Sequence, residues 1–458
     1  MQSPGRRRAI VLGVLGLMLA LSSCKTDWPT WGDGVGRQGF NPSEHTIGVA
    51  NVSQLHQQWS VDLGAYINSS PIEAINIRIG GRPTDVVYVG TEHGAFFALD
   101  TSGKILWFRD LGSNTTDCPD TPDKVYGVSA SAVFDRATNR VYVVGGNGYM
   151  YALNPATGAT VPGWPVQLTT SPTHEFVYDA PNLFNGNLYV GLASRCDNPP
   201  YHGRLVRINT QTRASNAFYV TGGPTGPDGG GIWGWGGASI DPNDGDVYIG
   251  TANVFADPEN SFYGDAIVRL NPDLSVVSTN SPGVGRQDDG FGSTPTLFQT
   301  SGCPPQLAAQ MKNGGLFLYD RDSISTGYRQ KIQSADFSIN VPAYSPATEL
   351  LYVLNGGGMA PFVTGIQAFR HNAACNLELA WQFASPVSIG SAPTIANGVV
   401  YYADGFGQTI HALSASTGAP LWASGPEIGG GVLAAPIVIN GQLFAGSYDN
   451  HLHAYGLP

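Results

Sequence analysis

Two stretches of this chain repeat one another, and a repeat of this length limits the fold more than any single residue does. Val86 to Trp107 reads Val-Val-Tyr-Val-Gly, a turn, Gly-Ala-Phe-Phe-Ala-Leu-Asp, then Thr-Ser-Gly-Lys-Ile-Leu-Trp. Val399 to Trp422 reads Val-Val-Tyr-Tyr-Ala-Asp, a turn, Thr-Ile-His-Ala-Leu-Ser, then Thr-Gly-Ala-Pro-Leu-Trp. Each is a three-strand meander. Weaker copies begin at Val141, Leu188, Val247, Leu307, Leu351 and Leu443. All eight copies follow a stretch of small residues holding Pro71, Ala132, Pro181, Ala238, Pro295, Pro342, Pro393 or Pro436.

Eight four-stranded units of this kind read as an all-β, eight-bladed propeller of antiparallel blades. The innermost strand of a blade crowds the central axis and suits Ser, Ala, Gly and Pro. The next strand is buried on both faces and becomes a run such as Val-Tyr-Val-Gly. Trp107, Trp164, Trp381 and Trp422 are placed to pack between neighbouring blades. The last unit stops at Tyr455 without an outer strand, whereas Leu55 to Val61 is an outer strand without a blade. Closure of the ring by that N-terminal strand supplies the missing piece and removes exposed sheet edges. A seven-bladed ring and a pair of sandwiches are the alternatives.

Composition fits many short strands joined by tight turns: 60 of the 458 residues are glycine and only 12% are charged. The net charge of −11, with no basic cluster beyond the N-terminus, argues against a nucleic-acid partner. Residues 1–23 read as an export signal, since Arg6, Arg7 and Arg8 precede an apolar run from Ala9 to Leu21 that is too short to span a bilayer. Leu21-Ser22-Ser23-Cys24 is the pattern that bacterial lipoprotein signal peptidase reads, so the expected mature chain begins at a lipidated Cys24; an ordinary signal followed by a chance cysteine is the alternative. The expected domains are a tether and lead-in over residues 24–50 and a propeller over 51–458. Such a protein is exported and anchored by lipid to the cell envelope, in the periplasm, outer membrane or cell surface. Lys25, which is not the aspartate of inner-membrane retention, favours the outer membrane. A monomer is expected, with an envelope protein or an electron acceptor as its partner.

The opening from Trp31-Gly32-Asp33 through Arg37 and Phe40-Asn41, together with the repeats, resembles the pyrroloquinoline-quinone (PQQ) propellers, which include methanol and polyvinyl-alcohol dehydrogenases and BamB-type assembly lipoproteins. Blade four is the most specific stretch. Gly231-Ile232-Trp233-Gly234-Trp235, Gly250-Thr251-Ala252-Asn253 and Gly264-Asp265-Ala266 resemble the dehydrogenase branch. The resemblance implies that Trp233 is the flat floor under the quinone and that Asn253 is a calcium ligand. An indole suits a planar cofactor and a carboxamide oxygen suits a hard cation.

Asp288 to Pro295 resembles the segment that carries the family's catalytic aspartate. Gly290 stands at the aspartate's place, so Asp289 is the expected base, taking the alcohol proton as hydride passes to the quinone. Lys312 matches the cation that hydrogen-bonds the quinone oxygens. Asp197 lies where blade three supplies a calcium carboxylate, although the family uses glutamate there. Ala252, Gly290 and the absence of an adjacent Cys-Cys pair depart from the family pattern. No Cys-x-x-Cys-His occurs, so no covalent haem is expected and the electrons must go to another acceptor.

The four remaining cysteines, Cys118, Cys196, Cys303 and Cys375, are expected to form disulfides in an oxidising compartment. Of the three possible pairings, Cys118 with Cys196 and Cys303 with Cys375 is the expected one, as cross-links between loops of nearby blades; spacing alone leaves the choice open. Two functions stand at this point. One is a PQQ- and calcium-dependent dehydrogenase of alcohols. The other is a non-catalytic propeller lipoprotein that serves as a protein-binding scaffold.

Overall fold

The structure, a computed structural model, describes residues 25–256, 261–283, 288–387 and 389–458. Cys24 and residues 1–23, the expected export signal, lie outside the described residues. Eight antiparallel sheets of four strands succeed one another along the chain, the seventh carrying a fifth, parallel strand, Phe40–Asn41, beside its innermost one. Blade 1 runs Ile72–Ile79, Arg82–Gly90, Ala95–Asp100 and Ile105–Asp110 from the axis outward. Its second strand ends in five consecutive buried residues, as a strand covered on both faces requires. The proline or alanine that marks each unit stands just before the innermost strand, where the chain enters the crowded axis.

Blade 8 is completed by His56–Asp62, which pairs antiparallel with His451–Gly456. The expected closure is therefore present. His453, buried on that last strand, binds Gln57 of the closing strand through Nδ1 (3.0 Å) and lies 3.4 Å from Asp449 through Nε2. Burial pushes the Asp449 carboxyl up, but hydrogen bonds from His453, Ser447 and the Gly429 amide outweigh it and hold it below the usual carboxylate range. A depressed value stabilises the fold above the unfolded-state pKa of about 3.9, and that contribution is lost as pH falls through the folded value. Asp449→Asn is therefore expected to lower stability at neutral pH and to flatten the further loss below about pH 4, as measured by thermal melting across an acid series.

Tryptophan indoles key four of the blades to the next. Trp107 Nε1 donates to the Pro155 carbonyl (3.0 Å) and Trp381 Nε1 to the Ala415 carbonyl (3.1 Å). Trp422 Nε1 reaches Leu55 (2.9 Å), and Trp59, on the closing strand, reaches Thr101 (3.0 Å) in the same way. The turn receiving Trp381 carries Gly418 at φ 72°, and a Cβ there would lie 2.4 Å from the indole. Only glycine meets both demands. Trp164 packs instead on Tyr142 (5.3 Å between rings), within the core shared by blades 2 and 3.

The lead-in has a course that the repeats do not foretell. It touches the innermost strands of all eight blades in order. Trp28 pairs with Glu73; Phe134 N donates to Pro29 O, Asn182 Nδ2 and Ile240 N to Val35 O, Leu297 N to Gly36 O, Tyr344 N to Gln38 O and Ile395 N to Gly39 O. Asn41 then donates to Val438 O in blade 8 (2.8 Å). Arg37, fully buried, fans its donors onto Thr30 and the carbonyls of Trp31, Ala180, Pro181 and Ala238. Burial pushes its guanidinium down to about 9, against the pull of Asp179. Trp31 fills the axis among Ala180, Val341, Ala392, Ala435 and Trp235. The channel is thus stopped from one end by the protein's own N-terminal segment.

Candidate functional site

In a blade of four antiparallel strands, the second-to-third connection and the link to the next blade leave from the same end. All the candidate residues lie on these two kinds of connection, so the fold gathers them at one end of the axis. Asp197 follows the second strand of blade 3, and Asn253 and Lys312 follow those of blades 4 and 5. Trp233 and the Asp288-Asp289 pair lie on the links into blades 4 and 5.

Trp233 is half-buried. Its ring abuts Gly292, where a Cβ would lie 2.5 Å from the indole, and its centroid is 6.5 Å from that of Tyr178. Lys312 Nζ stands over the indole at 5.6 Å from the centroid, a cation–π distance. The same ammonium is held by both oxygens of Asp288 (2.7 and 2.6 Å). Asp289 makes a different contact: its Oδ2 accepts from Asn313 Nδ2 at 3.4 Å. Gly290 has no room for a side chain in this conformation, because a Cβ would lie 2.4 Å from Asp265 Oδ1 and 2.8 Å from Ala252 Cα. An aspartate at position 290 is thus excluded unless the backbone moves.

Asp197 and Asn253 meet at 3.4 Å, through Asn253 Nδ2 and Asp197 Oδ2, and Tyr201 donates its hydroxyl to Asp197 Oδ1. Burial raises the Asp197 carboxyl; Tyr201 pulls it down, Asp288 pushes it up, and Asn253 and Lys312 pull it down, leaving it above its ordinary value. Asn253 is 2% exposed, and its Oδ1 has no hydrogen-bond partner among the described residues. A buried carboxamide oxygen without a partner is costly, and it is apt for a cation.

Sequence reasoning missed a second group beside these residues. Arg195, two positions before Asp197, is 7% exposed and donates to Glu92 (3.3 Å) and Thr121 (3.1 Å). Its guanidinium lies over the rings of Phe176 (4.4 Å), Tyr178 (4.7 Å) and Tyr126 (5.5 Å). Glu92 is fully buried and also accepts from Gly127 N and Ser129 Oγ. Burial pushes the Tyr178 phenol up to about 12, against the pull of Arg195. The only signal in the sequence was a charged Arg-Cys-Asp run directly after a buried strand.

The donors present suit a planar, oxygen-rich ligand with a hard cation. Trp233 offers a flat face, Lys312 a positive charge above it, and Asp197 with the unpartnered Asn253 Oδ1 offers hard oxygens. These residues fit PQQ and calcium.

Comparison with known proteins agrees with the class. Residues 28–176 match the family described as glucose/ethanol/alcohol dehydrogenase, β-propeller domain, and residues 375–456 match that described as outer membrane protein assembly factor BamB. The chain is an eight-bladed propeller built of PQQ-type repeats. Among curated proteins it is similar to a polyvinylalcohol dehydrogenase of Pseudomonas sp., with 22% identity over 93% of this chain and 73% of the relative. Among solved structures it resembles the quinohemoprotein alcohol dehydrogenase of Comamonas testosteroni, with 18% identity, TM-score 0.68, and coverage of 94% of this chain and 81% of that one. A europium-containing methanol dehydrogenase gives 16% identity, TM-score 0.70, and coverage of 94% and 98%. At such identities the structural likeness shows the fold.

Proposed function

We propose that the axial site binds PQQ with a calcium-class cation, and that the protein is an exported, lipid-anchored alcohol dehydrogenase of the cell envelope. The observation that carries this reading is the buried, unpartnered Asn253 Oδ1 beside the Asp197 carboxylate, within the same constellation as Trp233 and Lys312. When bound, PQQ supplies the two-electron acceptor for oxidation of the alcohol. The chain supplies position and charge. Trp233 is the floor on which a planar ring stacks. Asp197 and Asn253 hold the cation through oxygen. The Lys312 ammonium stabilises oxygen that gains negative charge, and to do so it must share or release Asp288. Asp289, whose Oδ2 is engaged by Asn313, offers Oδ1 for the alcohol proton, since Gly290 has no carboxylate.

A second reading is favoured by the BamB-family match over residues 375–456. In it, the propeller is a scaffold that presents its loops to an envelope protein. A dye-linked assay of the signal-free protein with a panel of primary and secondary alcohols separates the two. Dye reduction that requires PQQ, calcium and an alcohol together is expected. A folded protein that is inactive with every alcohol after PQQ and calcium are bound would favour the scaffold reading.

A further inference from the structure

Among the described residues two disulfides tie the propeller together, and they lie at opposite ends of it. Cys303 and Cys375 join the first hairpin of blade 5 to the last hairpin of blade 6, at the end away from the candidate site. Cys118 and Cys196, 78 positions apart with Cα atoms at 5.5 Å, join the link between blades 1 and 2 to the segment that follows the second strand of blade 3. This bond crosses over blade 2.

Cys196 stands between Arg195 and Asp197, so the two side chains it separates are the buried cation and the candidate metal carboxylate. The segment Arg195–Asp197 is one irregular 3₁₀ turn outside any sheet ladder. Cys196 and Asp197 both adopt left-handed backbone conformations, at φ 51° and 49°. Non-glycine residues are strained there, and two in succession persist only where the surroundings enforce them. The local restraints are few: Ser194 Oγ bonds across the turn to Asn198, and Tyr201 holds Asp197. The rest come from afar. Thr121, three residues beyond Cys118, Glu92 of blade 1 and the rings of Phe176, Tyr178 and Tyr126 hold Arg195, Asn253 holds Asp197, and the disulfide alone grips Cys196 among these contacts.

We propose that the Cys118–Cys196 disulfide is a positioning element of the axial site, holding the strained Arg195–Asp197 turn so that the Asp197 carboxylate stays beside Asn253, where the two can share a cation. The inference rests on the metal reading given under Proposed function. Cutting the bond leaves every candidate metal-ligating residue unsubstituted and frees the turn to relax from its left-handed conformation. Calcium affinity then falls, because the cation must restore the geometry as it binds. Loss of a support behind a metal ligand typically costs roughly 10–100-fold in affinity.

The far disulfide provides the control. Terbium luminescence, competed with calcium, reports cation affinity without any catalysis. The comparison uses wild type, Cys118→Ser/Cys196→Ser and Cys303→Ser/Cys375→Ser, with melting temperatures taken in parallel. Calcium affinity is expected to fall at least tenfold in the first double variant and to stay within about twofold of wild type in the second, although both melt earlier. Should the first variant fail to fold, the second is titrated before and after reduction by a water-soluble phosphine that is then removed. The phosphine becomes its oxide, with oxygen from water, and leaves thiols on Cys118 and exposed Cys196. Unchanged calcium affinity after loss of the Cys118–Cys196 bond overturns this proposal alone. A wild type that binds no cation overturns both this proposal and the metal reading.

Discussion

Arg195→Met is expected to destabilise the protein by about 3–5 kcal/mol, the usual cost of removing one partner from a buried ion pair. Methionine keeps the apolar contact with Phe176, Tyr178 and Tyr126 but leaves Glu92 fully buried with, among the described residues, only Gly127 N and Ser129 Oγ as donors to its side chain. A second substitution, Glu92→Gln, removes the stranded charge. The double variant Glu92→Gln/Arg195→Met is therefore expected to be more stable than Arg195→Met alone, because replacing both members of a buried pair is far less costly than orphaning one. Denaturation of the four proteins of this cycle checks the argument. Equal stability of the single and double variants would show that Glu92 is not stranded.

Trp233→Ala is expected to weaken PQQ binding by about one to two orders of magnitude, corresponding to roughly 1.4–2.8 kcal/mol of lost stacking. The loss in stability should be smaller than for a core tryptophan, because the indole is half-buried and touches Gly292 and Tyr178 without a place in the blade cores. Binding and folding thus separate in this variant, whereas Arg195→Met affects folding first. A titration of both variants alongside wild type distinguishes a cofactor floor from a packing residue.

The blades were legible in the sequence because each second strand is buried on both faces and so becomes an unbroken apolar run, while glycines and tryptophans recur at the turns and outer strands. Complementary ends at Leu55 to Val61 and Tyr455 disclosed the ring closure, and the pairing of His56–Asp62 with His451–Gly456 is its structural form. At the site, Trp233, Asn253, Asp197 and Lys312 come together because connections of two kinds share one end of every blade. Which aspartate meets Lys312 was not legible. Asp288 and Asp289 are adjacent, and the choice of Asp288 depends on the course of a link packed against blade 5. The Arg195–Glu92 pair joins residues 103 positions apart in blades 3 and 1, and no local pattern records such a contact. The same is true of the lead-in, whose carbonyls are matched to the amides of distant inner strands. Gly290 was visible as a departure, but its cause lies in the closeness of Asp265 and Ala252.

The most direct test of the central claim is titration of the protein lacking residues 1–23 with PQQ, with and without calcium, followed by tryptophan fluorescence and melting temperature. Saturable quenching and a raised melting temperature, both requiring calcium and both lost in Trp233→Ala, are the expected result. A folded wild type whose fluorescence and melting temperature do not respond to PQQ and calcium together would contradict the account.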